Sequence, residues 1–238
     1  MYRLNIKKGF HPVITEQYLR RYLKKYLRYA FVSLVILLTA CTTNKSTLTI
    51  ATFSDNNLSE WQERVFNNKT HYTLVDDNGI RVLRADSKHS ASALYQQIDV
   101  DLTKTPFLNW RWKITDTFDG NDEKTKTGDD YPVRLYVVFP GSGFSFTPRS
   151  LTYVWSNTAD FNSHWYNPYS DDVIMLALEN GSQKAGQWVV EKRNVMADLE
   201  ERFGELIKSI IGLAIMTDTD NTKVETTSYY GDIYFSAK

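Results

Sequence analysis

The 238-residue chain has one cysteine, which excludes an internal disulfide framework and any thiolate zinc cluster. Its 11 glycines and 6 prolines are too few for collagen-like or linker-rich material, and no Gly-rich phosphate-cradling loop is present. The four histidines, His11, His71, His89 and His164, form no His-Glu-x-x-His pattern, and Gly141-Ser142-Gly143 lacks the spacing of a nucleophile elbow. Net charge is absent too, since 28 Lys and Arg balance 28 Asp and Glu. That balance hides an asymmetry. Residues 1–40 hold eight basic side chains (Arg3, Lys7, Lys8, Arg20, Arg21, Lys24, Lys25, Arg28) against Glu16 alone, leaving 20 basic and 27 acidic residues downstream. The downstream part is acidic and carries no basic stripe, which argues against nucleic acid as a partner. A hydrophobic content of 42% is too high for a disordered chain.

The basic stretch leads into an uncharged run, Ala30-Phe31-Val32-Ser33-Leu34-Val35-Ile36-Leu37-Leu38-Thr39-Ala40. It has the length of a signal-peptide apolar region and is short of the roughly 20 residues a membrane span needs. The run ends in Leu38-Thr39-Ala40-Cys41, which resembles the bacterial lipobox, with the sole cysteine at the residue to be lipidated. The resemblance implies cleavage after Ala40, a lipidated tether over 41–47 and a folded domain over 48–238. Thr42 stands where an inner-membrane-retained lipoprotein carries Asp, so the expected address is the outer membrane, facing the periplasm. Several acyl chains would make that anchoring stable.

In the mature region the hydrophobic period is mostly two. Trp110, Trp112 and Ile114 alternate with Asn109, Arg111 and Lys113, and Val133, Leu135, Val137 and Phe139 alternate with Arg134 and Tyr136. Further strands are predicted over 47–53, 70–75, 80–85, 92–100, 151–155, 173–178, 187–192, 210–216 and 232–235. Asp77-Asn78-Gly79 is the clearest hairpin turn, because Asn-Gly tolerates positive φ. One short helix is predicted from the stripe Val195, Leu199, Phe203, with Asn194 as its cap and Gly204 as its stop. Many short strands and one helix predict an all-β, two-sheet β-sandwich of jelly-roll type.

Several blocks act together: Trp110-Arg111-Trp112-Lys113; Gly128-Asp129-Asp130 with Arg134; Tyr153-Val154-Trp155; Arg193-Asn194-Val195 with Asp198 and Phe203-Gly204; 216–222; and Tyr229-Tyr230-Gly231-Asp232-Ile233. In combination, from about residue 50 to 235, they resemble domain-of-unknown-function family 3047, a group of exported bacterial proteins. The resemblance implies an envelope location and an all-β domain, and brings no established activity. The strand pattern is more distantly similar to galactose-binding-like jelly rolls, whose members often bind carbohydrate; fold analogy alone is a weak warrant for function.

The loop 116–130 carries six acids, Asp116, Asp119, Asp122, Glu123, Asp129 and Asp130. Clustered carboxylates suit Ca²⁺, the one cofactor the pattern allows, although a solvated loop is the plainer reading. Asp129 and Asp130 abut the strand holding Arg134 and can pair with Arg134 or Arg111. Asp218, Asp220 and Thr222 place alternate oxygens after an apolar strand, a tentative metal group. The EF-hand reading fails because Lys223 and Tyr229 stand where Gly and Glu belong. Trp165, Tyr166 and Tyr169, in a polar loop over 161–170, can stack on sugar faces beside amides and hydroxyls.

Arg111, Asp129, Asp130, Arg134, Trp165, Tyr166, Tyr169 and Asp232 form the expected ligand-binding set. The leading expectation is a non-catalytic, lipid-anchored β-sandwich that binds carbohydrate or another envelope component. A carboxylate-dependent glycan hydrolase is the first alternative, and a structural or assembly partner of another envelope protein is the second. Convergence of Asp129, Arg134, Asp218 and Asp232 at one concave site would favour a ligand or catalytic site; their dispersal would leave only the fold.

Overall fold

The computed structural model describes residues 47–141 and 147–238; the signal-like segment, Cys41 and the tether up to residue 46 lie outside the described residues. In chain order the strands are β1 (Thr47–Ala51), β2 (Gln62–Asn67), β3 (His71–Asp77), β4 (Ile80–Lys88), β5 (Ala91–Asp101), β6 (Phe107–Ile114) and β7 (Arg134–Phe139). There follow β8 (Arg149–Ser156), β9 (His164–Asn167), β10 (Ser170–Asn180), β11 (Val189–Asn194), β12 (Ser209–Asp218), β13 (Glu225–Tyr230) and β14 (Ile233–Ser236). One α-helix, α1 (Val195–Phe203), lies between β11 and β12.

The strands form two sheets, which gives the expected two-sheet β-sandwich. The first has the order β1-β14-β6-β13-β4-β3, with β11 also paired to β6; the second has the order β2-β5-β12-β7-β8-β10-β9. Pairing is antiparallel except between β8 and β10, where the chain crosses over by way of β9.

Period-two patterning explains the core. Leu108, Trp110, Trp112 and Ile114 of β6 meet Leu135, Val137 and Phe139 of β7 and Leu151, Tyr153 and Trp155 of β8 in one buried cluster between the sheets. The Trp110 ring lies 5.3 Å from both Trp112 and Tyr153. Packing of this kind is the main source of stability in a domain this size.

The local signals behave as their chemistry requires. Asn78 and Gly79 both take positive φ (58° and 85°) in the two-residue β3–β4 turn. The Asn194 side chain accepts a hydrogen bond from the Ala197 N–H (3.1 Å), and Gly204 closes the helix at φ 70°. Helix α1 is tied to the sandwich by Asp198, which accepts from Arg193 Nε and Tyr153 Oη, both at 2.8 Å.

Sequence patterning did not indicate β2, β9 or β13. Every residue of β2 is exposed, so an edge strand leaves no apolar alternation to read. Strand β9 is four residues long and sits where a continuous 161–170 loop was expected. Strand β13 buries Thr226, Ser228 and Tyr230, a polar version of the same period.

Candidate functional site

The outward residues of the second sheet build the site. In β7 these are Arg134, Tyr136 and Val138; in β12, Ala214, Met216 and Asp218; in β5, Ala91, Ala93 and Tyr95. Over β8 and β10 this face is covered. Tyr131 and Ala159 pack there on Val154, Met175 and Ala177, with Trp165 and Val173 at the margin. Over β2, β5, β12 and β7 it is open.

The cover is anchored by the acidic loop, in which Glu123, Asp129 and Asp130 are buried while Asp116, Asp119 and Asp122 stay exposed to solvent. Glu123 is 1% exposed and accepts from Ser156 Oγ, from the Asn157 N–H (2.8 Å) and from the Ala159 N–H (3.2 Å). Asn121 Nδ2 donates to the Gly128 carbonyl at 2.8 Å. A Cβ on Gly128 would lie 2.2 Å from the Asp122 carbonyl oxygen, so this approach needs glycine. Asp130 is fully buried and accepts from the Asn221 N–H (3.0 Å), the Thr222 N–H (2.5 Å) and Thr222 Oγ1 (2.6 Å), fixing the turn after β12.

Arg134 lies at the end of the open region. Strand register sets Arg134 opposite Met216, which brings it to Asp218 two residues on. Its Nη2 donates to Asp218 Oδ2, its Nη1 is 3.6 Å from Asp129 Oδ1, and its guanidinium lies 4.8 Å from the Tyr131 ring centre. Asp218 Oδ1 also accepts from the Tyr131 N–H at 3.2 Å. Both Asp129 oxygens are 3.0 Å from Asn167 Nδ2. Burial pushes the Asp129 carboxyl above the ordinary carboxylate range, and the shared Arg134 only partly offsets it.

Asp130, Asp218 and Asp220 each bring an oxygen within 4.8 Å of the others. Asp130 therefore takes the place expected for Thr222, whose hydroxyl instead donates to Asp130. A cation there would compete with Arg134 for Asp218 and with the Asn221 and Thr222 amides for Asp130. Asp220 is the least engaged, accepting from Asn67 Nδ2 at 3.1 Å.

Two cavities open along this face, of about 490 Å³ and 350 Å³. They share Phe66, Tyr136 and Met216 and so form one trough. Its polar end holds Asp129, Arg134, Asn167, Asp218, Asp220 and Asn221; its aromatic end holds Arg64, Phe66, Tyr95 and Tyr136. Phe66 is 58% exposed, a large apolar ring left at the rim. Tyr95 Oη donates to Gln62 Oε1 (2.7 Å), and Tyr136 Oη finds only the Met216 sulfur at 3.8 Å.

Of the expected ligand set, Asp129, Arg134 and Tyr169 line the trough, together with Asp218 and Asp220 of the tentative metal group. Asp130 supports it from behind. Tyr169 is 57% exposed, and its hydroxyl donates to the Lys126 carbonyl (2.9 Å). Trp165 packs over the covered half, and Tyr166 is 60% exposed on β9. The structure separates Arg111 and Asp232 from this group. Arg111 belongs to the outer face of the first sheet, where its guanidinium lies 4.4 Å from the Trp188 ring centre. Asp232 follows β13 and accepts from the Ser54 N–H (2.9 Å) and Ser54 Oγ (2.5 Å). Phe66, Tyr95 and Met216 were not anticipated. The Arg134/Tyr136 half of the β7 alternation was the one signal for them, since it marks the side turned away from the core.

The two sheets, the helix and the one-sided trough define the class, an all-β sandwich with an open face on its second sheet. The family described as "Protein of unknown function (DUF3047)" matches residues 59–234, and the chain belongs to it. No curated protein matches. Among solved structures, the chain is similar to a family 11 carbohydrate-binding module from Clostridium thermocellum in complex with a β-1,3-1,4-mixed-linked tetrasaccharide. The two share 8% identity at a TM-score of 0.43, over 80% of this chain and 95% of that one. It is also similar to endoglucanase 3 of Trichoderma harzianum, from family GH12, with 10% identity, TM-score 0.41 and coverage of 76% and 99%. The fold assignment rests on the sheets themselves.

Proposed function

We propose that this is a lipid-anchored envelope protein that binds a carbohydrate chain in the trough of its second sheet. The observation that carries the reading is the continuity of the two cavities through Phe66, Tyr136 and Met216. A pyranose offers an apolar C–H face and a hydroxyl rim, and an aromatic floor beside carboxylates, amides and a guanidinium serves both. The anchor is part of the same proposal. Cys41 would carry the lipid and hold the domain at the outer membrane, facing the periplasm, and fractionation of a Cys41→Ser variant would then find it released. For the trough, the test is affinity electrophoresis of the protein through gels containing cell-wall or storage glycans. Retardation by at least one glycan is expected in wild type, with loss in Phe66→Ala and Tyr136→Ala. Wild type that runs freely through every gel would remove the carbohydrate reading.

A second reading, glycan hydrolysis, draws on the Asp129 carboxyl, which burial holds above the usual range in a cavity that also contains Asp218 and Asp220. A raised acid beside a second carboxylate is what glycosidic cleavage requires. Release of reducing ends from a retained glycan, abolished in Asp129→Asn with retention unchanged, would promote hydrolysis over binding alone.

A further inference from the structure

The polar end of the trough is short of positive charge. Asp129, Asp218 and Asp220 line that cavity with Arg134 as its single basic residue. Arg134 is shared between Asp129 and Asp218. Lys124 and Lys126, the bases of the adjoining loop, lie over the Trp165 and Tyr169 rings at 5.5 Å and 5.3 Å and form no ion pair with these acids.

A second, independent observation is an unmet donor. Arg134 is 3% exposed, lines the same cavity, and its Nε–H has no hydrogen-bond partner among the described residues. A buried donor of this kind is costly to leave unpaired and calls for an acceptor oxygen. The cavity thus asks for a cation and an oxygen close together, beside an apolar face that can lie on Tyr136 and Phe66.

We propose that the polar end of the trough takes a glycan residue bearing a free amine, its ammonium set among Asp129, Asp218 and Asp220 and an adjacent oxygen turned to Arg134. A de-N-acetylated amino sugar has both groups on neighbouring ring carbons. N-acetylation would replace the cation by a neutral amide, and a uronic or sulfated residue would face the acids with like charge. The proposal rests on the trough being the glycan site, and names the class of sugar that site selects.

Isothermal titration of the full-length protein in detergent with three probes tests it: a glucosamine tetramer, an N-acetylglucosamine tetramer and a cellotetraose. The glucosamine tetramer is expected to bind about ten-fold or more tightly than either neutral tetramer, the size of a charge-assisted hydrogen bond. Asp220→Asn, a change at a partly exposed side chain, should erase most of that preference, bringing the glucosamine tetramer down toward the affinity of the neutral tetramers. Phe66→Ala should weaken all three. Equal binding of charged and neutral tetramers overturns the amine assignment and leaves the trough reading standing. A preference that survives both substitutions also overturns it, because it then comes from the general acidity of the domain. Failure of the glucosamine tetramer to bind overturns the amine assignment, while the trough reading is decided separately by the affinity gels.

Discussion

The two outer faces of this sandwich are built by the same period-two patterning and end in opposite states. On the first sheet the polar residues satisfy one another. Asp77 accepts from Lys113 Nζ (2.6 Å) and Trp188 Nε1 (2.7 Å), Arg84 pairs with Asp86, and the Trp188 ring is taken up by Arg111 and Lys113. On the second sheet Phe66 stays 58% exposed with Arg64 over its ring at 5.1 Å, the Tyr136 hydroxyl meets the Met216 sulfur, and two buried acids, Asp129 and Asp218, share one arginine. A polar strand face is therefore not a binding face by composition. What distinguishes the second face is the demand left unmet after its neighbours have been counted.

The sharpest way to break this comparison is to remove one acid from each face. Asp218→Ala strands a buried guanidinium, and a loss of about 3–5 kcal/mol is expected in denaturant unfolding. Asp77→Ala leaves Lys113 Nζ and Trp188 Nε1 without their acceptor at side chains that keep some solvent access, and should cost about 1–2 kcal/mol. Comparable losses would mean that the two networks are equally integral. Glycines offer a milder version. Gly128→Ala drives a Cβ against backbone and should cost about 1–3 kcal/mol. Gly231→Ala meets Arg111 at Cγ, 2.5 Å away, so that side chain must change its first rotamer and leave Trp188, and a cost of about 1–2 kcal/mol is expected.

The first sheet holds unmet groups too: among the described residues Trp110 Nε1, Trp112 Nε1, Glu191 Oε1 and Ser228 Oγ are buried without a hydrogen-bond partner, and Glu191 is the one that titrates. Burial, reinforced by the Glu179 carboxylate, pushes Glu191 on β11 from 4.5 to about 7. Folding thus takes up a proton between these values, so stability falls as pH rises through that interval and stays lower above it. Glu191→Gln removes the penalty. It should stabilise the protein by about 2 kcal/mol at pH 8 and change little at pH 5, read from paired thermal melts. The smallest effect is expected at Lys88, paired with Glu225 and 72% exposed, where substitution by Ala should shift stability by less than about 0.5 kcal/mol.

Much of this contrast was readable in advance, and its limits have physical causes. The alternation at 109–114 and 133–139 located two central strands and their inward faces, because burial writes period two directly into side-chain choice. The helix and the β3–β4 turn were legible from Asn194, Gly204 and Asn78-Gly79, since positive φ and capping restrict residue type. Asp129 was already set beside Arg134 by its position next to that strand, and Asp218 was recognised apart from them. Their meeting depends on β7 and β12 being neighbours, a fact of strand order that periodicity does not carry. The same ignorance grouped Arg111 and Asp232 with them, although both belong to the other sheet. Phe66 was overlooked because β2 is an edge strand with nothing buried to betray it.

The central claim is that ligand meets the second sheet and not the first. Backbone-amide NMR of the isotopically labelled protein, titrated with a glycan that retards it in affinity gels, tests this directly. The account predicts shift changes concentrated at Phe66, Asn67, Tyr136, Tyr169 and Asn221, with Lys113, Trp188 and Tyr229 unmoved. Perturbation centred on the Trp188 face, with the Phe66 and Tyr136 amides silent, would contradict it.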